Sequence, residues 1–271
     1  MTRFYTYWEG PSCPKYIDLC VSTWFRQIPD LHLTVINHRN LFKYVGDVYD
    51  IERLKRFSLA KQSDAVSAAV LAKFGGTFVD ADTIITKDPT DTFRSVPGEK
   101  MIGFGVPSRN SFHVAVLHAG QSGNPIAVRW MTEAAKRISG DGDGGWDYLA
   151  NQILNQMVAE PAFGEFMHII DRTTSGHILE SHFELVPGQA EKSYLKLYFG
   201  EHDISVPKAL DAVVGGMISL HNSWTPASYG AIKDIRDLLS TDNLLSRLLA
   251  HLSGIEESGI RAVESRLTAK S

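Results

Sequence analysis

Cysteine is nearly absent from this chain: Cys13 and Cys20 are the only two in 271 residues, too few for a disulfide framework. Long apolar runs are missing as well. The longest, Ala68 to Ala72, falls far short of the roughly 20 residues a helix needs to cross a bilayer, which argues against an integral membrane protein. The opening stretch, Met1 to Glu9, has no apolar segment followed by a small-residue cleavage site, so the expected location is the cytoplasm, with the inner face of the membrane as a variant of it. There is no surplus of positive charge either. Lys and Arg number 27 against 31 Asp and Glu, a formal net charge of −4, so nucleic acid is not an expected partner. Repeats and low-complexity segments are also lacking. What remains is an ordinary globular composition, 44% hydrophobic and 10% aromatic, able to build a sizeable core.

Along the chain, apolar Phe4 to Trp8 breaks at Glu9-Gly10-Pro11; Ile17, Cys20, Val21 and Trp24 then follow at helical spacing. Leu31 to Ile36 reads as a second strand. A run rich in Ala, Val and Leu, opening at Ser63-Asp64 and stopping at Gly75-Gly76, predicts a helix with fitting caps at both ends. Thr77-Phe78-Val79 predicts a short buried strand that arrives at Asp80-Ala81-Asp82 and continues as Thr83-Ile84-Ile85. Met101 to Val106 and His113 to His118 predict two further strands, followed by a helix with Ile126, Val128, Trp130 and Met131. A glycine-rich loop at residues 140–145 precedes a helix expected from Trp146 to Val158. Met217 to Trp224 closes the compact part. This alternation implies an α/β fold with a mainly parallel sheet flanked by helices and ligands near the carboxyl ends of strands. The expected division is a domain over 1–230 and a helical C-terminal extension over 231–271, with Leu244, Leu245, Leu248, Leu249 and Leu252 on one stripe. Six basic and six acidic residues share that extension, so its stripe is expected to pack on the domain or on another subunit, with peripheral membrane contact the weaker alternative.

Asp80-Ala81-Asp82 is the most informative triplet. Two carboxylates at i and i+2 where a strand ends can share a divalent cation and its bound diphosphate. By itself it is commonplace, but here it follows Ser63-Asp64, a helix, Gly75-Gly76 and the aromatic strand Thr77-Phe78-Val79. That order resembles the core of retaining sugar transferases of the DXD, GT-A type, and most of all the capsular polysaccharide synthesis glycosyltransferases and related mannosyl- and galactosyltransferases. Tyr7-Trp8-Glu9-Gly10, Pro14, Cys20 and Trp24 are similar to that family's opening pattern. The resemblance covers residues 4 to 86, with a second short match at His221-Asn222-Ser223-Trp224.

The resemblance implies a GT-A, Rossmann-like fold and transfer of a sugar from a nucleotide-sugar donor, a UDP-sugar foremost, to a saccharide or lipid-linked saccharide acceptor. It also implies retention of configuration and Mn or Mg as cofactor, in surface polysaccharide synthesis. Carried over by position, Trp8 stacks on the nucleotide base, Asp64 binds the donor sugar's hydroxyls, Asp80 contacts ribose and sugar, and Asp82 ligates the metal. His221 adds a metal or diphosphate contact, and Ser223 and Trp224 brace the leaving phosphate. The chemistry calls for these types: a nucleoside diphosphate leaves only when its developing charge is neutralised, and oxygen ligands with one imidazole suit Mn or Mg. Ser67 departs from the pattern, which commonly has Arg three residues after the Asp of Ser-Asp.

Each residue also has a plainer explanation. Trp8 would serve as a core aromatic, Asp64 as a helix cap, and His221 as a loop histidine. Asp147, after the glycine loop, is a further candidate for reaching the anomeric carbon or the acceptor. Asp141 and Asp143 look like the start of a calcium loop, but Gln152 stands where such a loop needs a carboxylate. Two other functions fit the motif: a haloacid dehalogenase-like phosphohydrolase using Asp80 as nucleophile and Asp82 as general acid, and a non-catalytic carbohydrate-binding protein, to which Ser67 points.

Overall fold

The computed structural model describes residues 2–10, 12–109, 111–254 and Leu267, and the chain divides into two compact units. The first comprises Met1–Glu9, His32–Asp80 and Thr90–Asp171, the second Gly10–Leu31, Ala81–Pro89 and the chain from Arg172 onward.

The strands are β1 (Thr2–Tyr7), β2 (Leu31–Ile36), β3 (Gly76–Val79), β4 (Thr83–Ile85), β5 (Met101–Val106), β6 (Ser111–Ala119), β7 (Met167–Asp171) and β8 (Met217–Ser219). Six of them form the sheet of the first unit, in the order β2-β1-β3-β6-β5-β7. β1 pairs parallel with β3, and β5 with β7, while β6 runs antiparallel to both β3 and β5. β1, β3, β5 and β7 therefore share one direction and β6 alone among these five is reversed, which matches the mainly parallel sheet expected. Phe78 and Val79 are at most 1% exposed, as a short apolar run between two covered faces requires.

The helix feeding β3 spans Leu59–Phe74, with Ser58 as N-cap accepting from the Lys61 amide. It begins before the Ser63-Asp64 pair, which lies inside the helix rather than opening it. Asp64 is therefore not a cap, because Ser58 already satisfies the end. Small residues Ala65, Ala68 and Ala69 are fully buried and let this helix sit close to β1, β3 and the helix Pro125–Ser139. Gly75 ends it at φ +64°, a left-handed conformation that glycine adopts without a steric penalty. Helix Asn151–Ala159 begins later than the expected Trp146, since residues 146–150 are turns and Trp146 is 72% exposed.

In the second unit β4 pairs antiparallel with β8. Helix Lys15–Gln27 packs on β4, and two bonds fix its position: Trp24 Nε1 donates to the Thr83 carbonyl at 2.6 Å, and the Ile85 amide donates to Thr23 Oγ1 at 2.9 Å. Helix Leu244–Ser253 lies against Lys15–Gln27 and against helix Ala190–Phe199. Its stripe Leu244, Leu245, Leu248, Leu249 and Leu252 is at most 5% exposed, so these leucines are spent inside the unit rather than offered to a membrane or another subunit. The rest of the expected extension, residues 255–266 and 268–271, lies outside the described residues. Cys13 and Cys20 are free thiols. Among the described residues no helix is long and apolar enough to cross a membrane.

Candidate functional site

β1 and β3 are parallel neighbours with Phe4 opposite Thr77 and Tyr5 opposite Phe78, so Trp8 and Asp80 leave the sheet at the same edge. The Trp8 amide donates to the Ile36 carbonyl at 2.9 Å. Its indole is half-buried, and Nε1 has no hydrogen-bond partner among the described residues. Helix Leu59–Phe74 presents Ser63 and Asp64 to the same region, and the Ser63 hydroxyl donates to Asp80 Oδ1 at 3.4 Å. Burial, and then the charges of Asp80 and Asp147, raise the pKa of Asp64 well above the ordinary carboxylate range. The fold thus assembles Asp64, Asp80 and Asp147 into one acidic cluster within the first unit. Asp147 Oδ1 accepts from Gln152 Nε2 at 2.8 Å, which orients it. Ser67 is 2% exposed and its hydroxyl has no partner among the described residues; nothing there replaces the charge of an arginine.

The second unit holds the other half of the motif. The Leu220 amide donates to the Asp82 carbonyl at 3.1 Å, continuing the β4–β8 ladder, and the Asn222 amide donates to Asp82 Oδ2 at 3.1 Å. The Asn222 side chain in turn accepts from the Tyr16 hydroxyl. Asp82 and the turn at His221-Asn222 are therefore held together although about 139 residues separate Asp82 from His221. Burial pushes the Asp82 pKa up to about 6, against the opposing pull of the Asn222 amide and of His221. The Trp224 ring lies 4.0 Å from that of His221, centroid to centroid, and the Tyr194 ring is edge-on to both. Ser223 is exposed.

Asp82 and His221 supply a carboxylate and an imidazole, a donor pair that suits Mn or Mg if phosphate oxygens and water fill the remaining positions. Among the described residues no group of three or more His, Cys, Asp or Glu side chains forms a metal cage. Sequence reasoning missed Glu180, which stands 2.8 Å from His221 Nε2. It also missed Tyr16 and Tyr194. No motif marks any of the three, and only the folded chain brings Glu180 and Tyr194 to His221 and Tyr16 to Asn222.

Residues 4–115 match the family model described as capsular polysaccharide synthesis protein, past residue 86 but short of the His221 segment. No curated protein matches the chain in sequence. Among solved structures, the glycosyltransferase GlyE of Streptococcus pneumoniae TIGR4 is 12% identical with a TM-score of 0.50, over 96% of this chain and 63% of that one. PaToxG glycosyltransferase is 15% identical with a TM-score of 0.43, over 80% of this chain and 85% of its own. The galactosyltransferase LgtC, solved with donor and acceptor sugar analogs, is 9% identical with a TM-score of 0.46, over 97% and 100%. The chain therefore has a glycosyltransferase fold of the GT-A kind, and its residues 4–115 are similar in sequence to the capsular polysaccharide synthesis family.

Proposed function

We propose that the chain is a glycosyltransferase that moves a hexosyl group from a nucleoside diphosphate sugar, UDP-sugars first, to a saccharide or lipid-linked saccharide acceptor with retention of configuration. Its product belongs to surface polysaccharide synthesis. The observation that carries this reading is the Asp80-Ala81-Asp82 turn, whose two carboxylates enter two different polar clusters: Asp80 with Ser63 and Asp64, Asp82 with the His221-Asn222 turn. Asp64 and Asp80 would accept hydrogen bonds from sugar and ribose hydroxyls, and Trp8 would stack on the base. A divalent cation held by Asp82 and His221 would supply Lewis-acid neutralisation of the diphosphate. Ser223 and Trp224 would flank the phosphate as it departs. Asp147, half-buried and tied to Gln152, would face the acceptor. With retention, the leaving phosphate itself takes the acceptor's proton, so no dedicated general base is called for. An inverted anomeric centre in the first-formed product, read by NMR, would instead make Asp147 that base.

The test is incubation with UDP-, GDP- and dTDP-sugars in the presence of Mn, following release of nucleoside diphosphate. Slow donor hydrolysis that stops in EDTA and in Asp82→Asn is expected. Turnover of simple phosphomonoesters in preference to nucleotide sugars would establish the phosphohydrolase instead. Binding of saccharide without any turnover would leave a carbohydrate-binding protein, the outcome that the uncharged Ser67 would favour.

A further inference from the structure

Glu180 lies in the short helix Leu179–Phe183 of the second unit and is only 1% exposed. A carboxylate removed from water is costly unless it is paired, and the group beside it is the imidazole of His221, with Oε1 2.8 Å from Nε2. Neither carboxylate oxygen has a hydrogen-bond partner among the described residues, and the contact of Oε1 with the imidazole is one of ion-pair distance. The neighbouring Tyr198 hydroxyl is buried, and its proton is held more tightly both by that burial and by the charge of Glu180. The Tyr194 ring packs edge-on against the His221 ring and the Trp224 ring lies tilted against it at 4.0 Å, so rotation of the imidazole is restrained by packing. The 2.8 Å separation is that of the general design in which a metal-binding imidazole gives its second N–H to a carboxylate, which fixes the tautomer and strengthens the ligand.

We propose that Glu180 is a positioning residue for His221: it accepts the Nε2 proton and leaves the lone pair on Nδ1, the nitrogen that a divalent cation would take. This rests on the reading of His221 as a metal ligand in the proposed transferase. Its test is a double-mutant cycle read as Mn affinity, with free Mn measured by electron paramagnetic resonance in the presence of UDP. Glu180→Leu is expected to weaken Mn binding by about 10- to 100-fold. Glu180→Gln keeps a carbonyl that still accepts from Nε2 and is expected to lie between it and the wild type. In a His221→Ala background, Glu180→Leu should change Mn affinity no further, because its effect passes through the imidazole. Thermal melting of each variant checks that the fold persists. An unchanged Mn affinity in Glu180→Leu while His221→Ala weakens it, or equal losses in both backgrounds, would overturn the positioning role and leave the transferase reading standing. An unchanged Mn affinity in His221→Ala would overturn the positioning role and also remove His221 from the proposed site.

Discussion

Asp82 is less comfortable as an anion in the folded chain than in water, because burial outweighs the Asn222 amide and His221 and lifts its pKa to about 6. A carboxyl whose folded pKa lies above its ordinary value near 4 favours folding when protonated, and that contribution disappears as pH rises through about 6. In metal-free buffer the Asp82 contribution is therefore expected to decline between about pH 4 and pH 7, and Asp82→Asn to be more stable than wild type at pH 7 by about 1 to 3 kcal/mol. Urea titrations of both proteins across that range check it. A variant less stable than wild type at pH 7 would show that the carboxylate is already compensated. Mn favours the ionised form, so it is expected to raise the melting temperature of the wild type at pH 7 and not that of the variant. Trp8 offers a second test at this scale. Its indole is half-buried at the end of β1 with Nε1 unpartnered among the described residues, so Trp8→Ala is expected to weaken binding of UDP by about 1 to 3 kcal/mol, measured by calorimetry. Lower stability with unchanged nucleotide affinity would make Trp8 a core residue.

Among the secondary elements, the junction between helix Leu59–Phe74 and β3 is a tight one. Gly75 has φ +64°, and a Cβ there would meet the backbone of Gln121 at 2.7 Å, so neither the conformation nor the space admits a side chain. Gly75→Ala is expected to lower stability by about 1 to 3 kcal/mol, seen as a shift in the urea midpoint; a loss below 0.5 kcal/mol would mean that the junction relaxes freely. The same stretch shows what a sequence can disclose. The Ala-rich run, the glycine stop, the short apolar strand and both aspartates were legible, because periodicity and turn chemistry act locally. The start of the helix was not: Ser63-Asp64 imitates a cap, whereas the working cap is Ser58. β7 and the helices Leu179–Phe183, Ala190–Phe199 and Val206–Ala212 were also missed. They are short, and tertiary packing decides them more than their own pattern does. Glu180 was hidden for the same reason, as a glutamate in a five-residue helix resembles any surface acid until its burial is known.

For the chain as a whole, the division into two units cuts across sequence order. The Lys15–Gln27 helix and β4 come early, yet they belong with the chain after Arg172, and the matched family segment, 4–115, holds pieces of both units. An early helix whose partner arrives more than two hundred residues later needs the late segment for its core. Leu244, Leu245, Leu248, Leu249 and Leu252 are buried in a helix that lies against Lys15–Gln27, whose own Ile17, Leu19, Cys20 and Trp24 are fully buried. Each fully buried leucine contributes about 1.5 to 3 kcal/mol, so five of them together match or exceed much of the 5 to 15 kcal/mol that typically holds a folded chain. A chain ending at Gly230 is therefore expected to lose protection of the amides in Lys15–Gln27 and β4 against hydrogen exchange, while the full chain retains it. Mass spectrometry of exchange on both proteins decides the matter. If those amides stay as protected in the shortened chain as in the full one, the C-terminal leucines are an attachment to the second unit rather than part of its core.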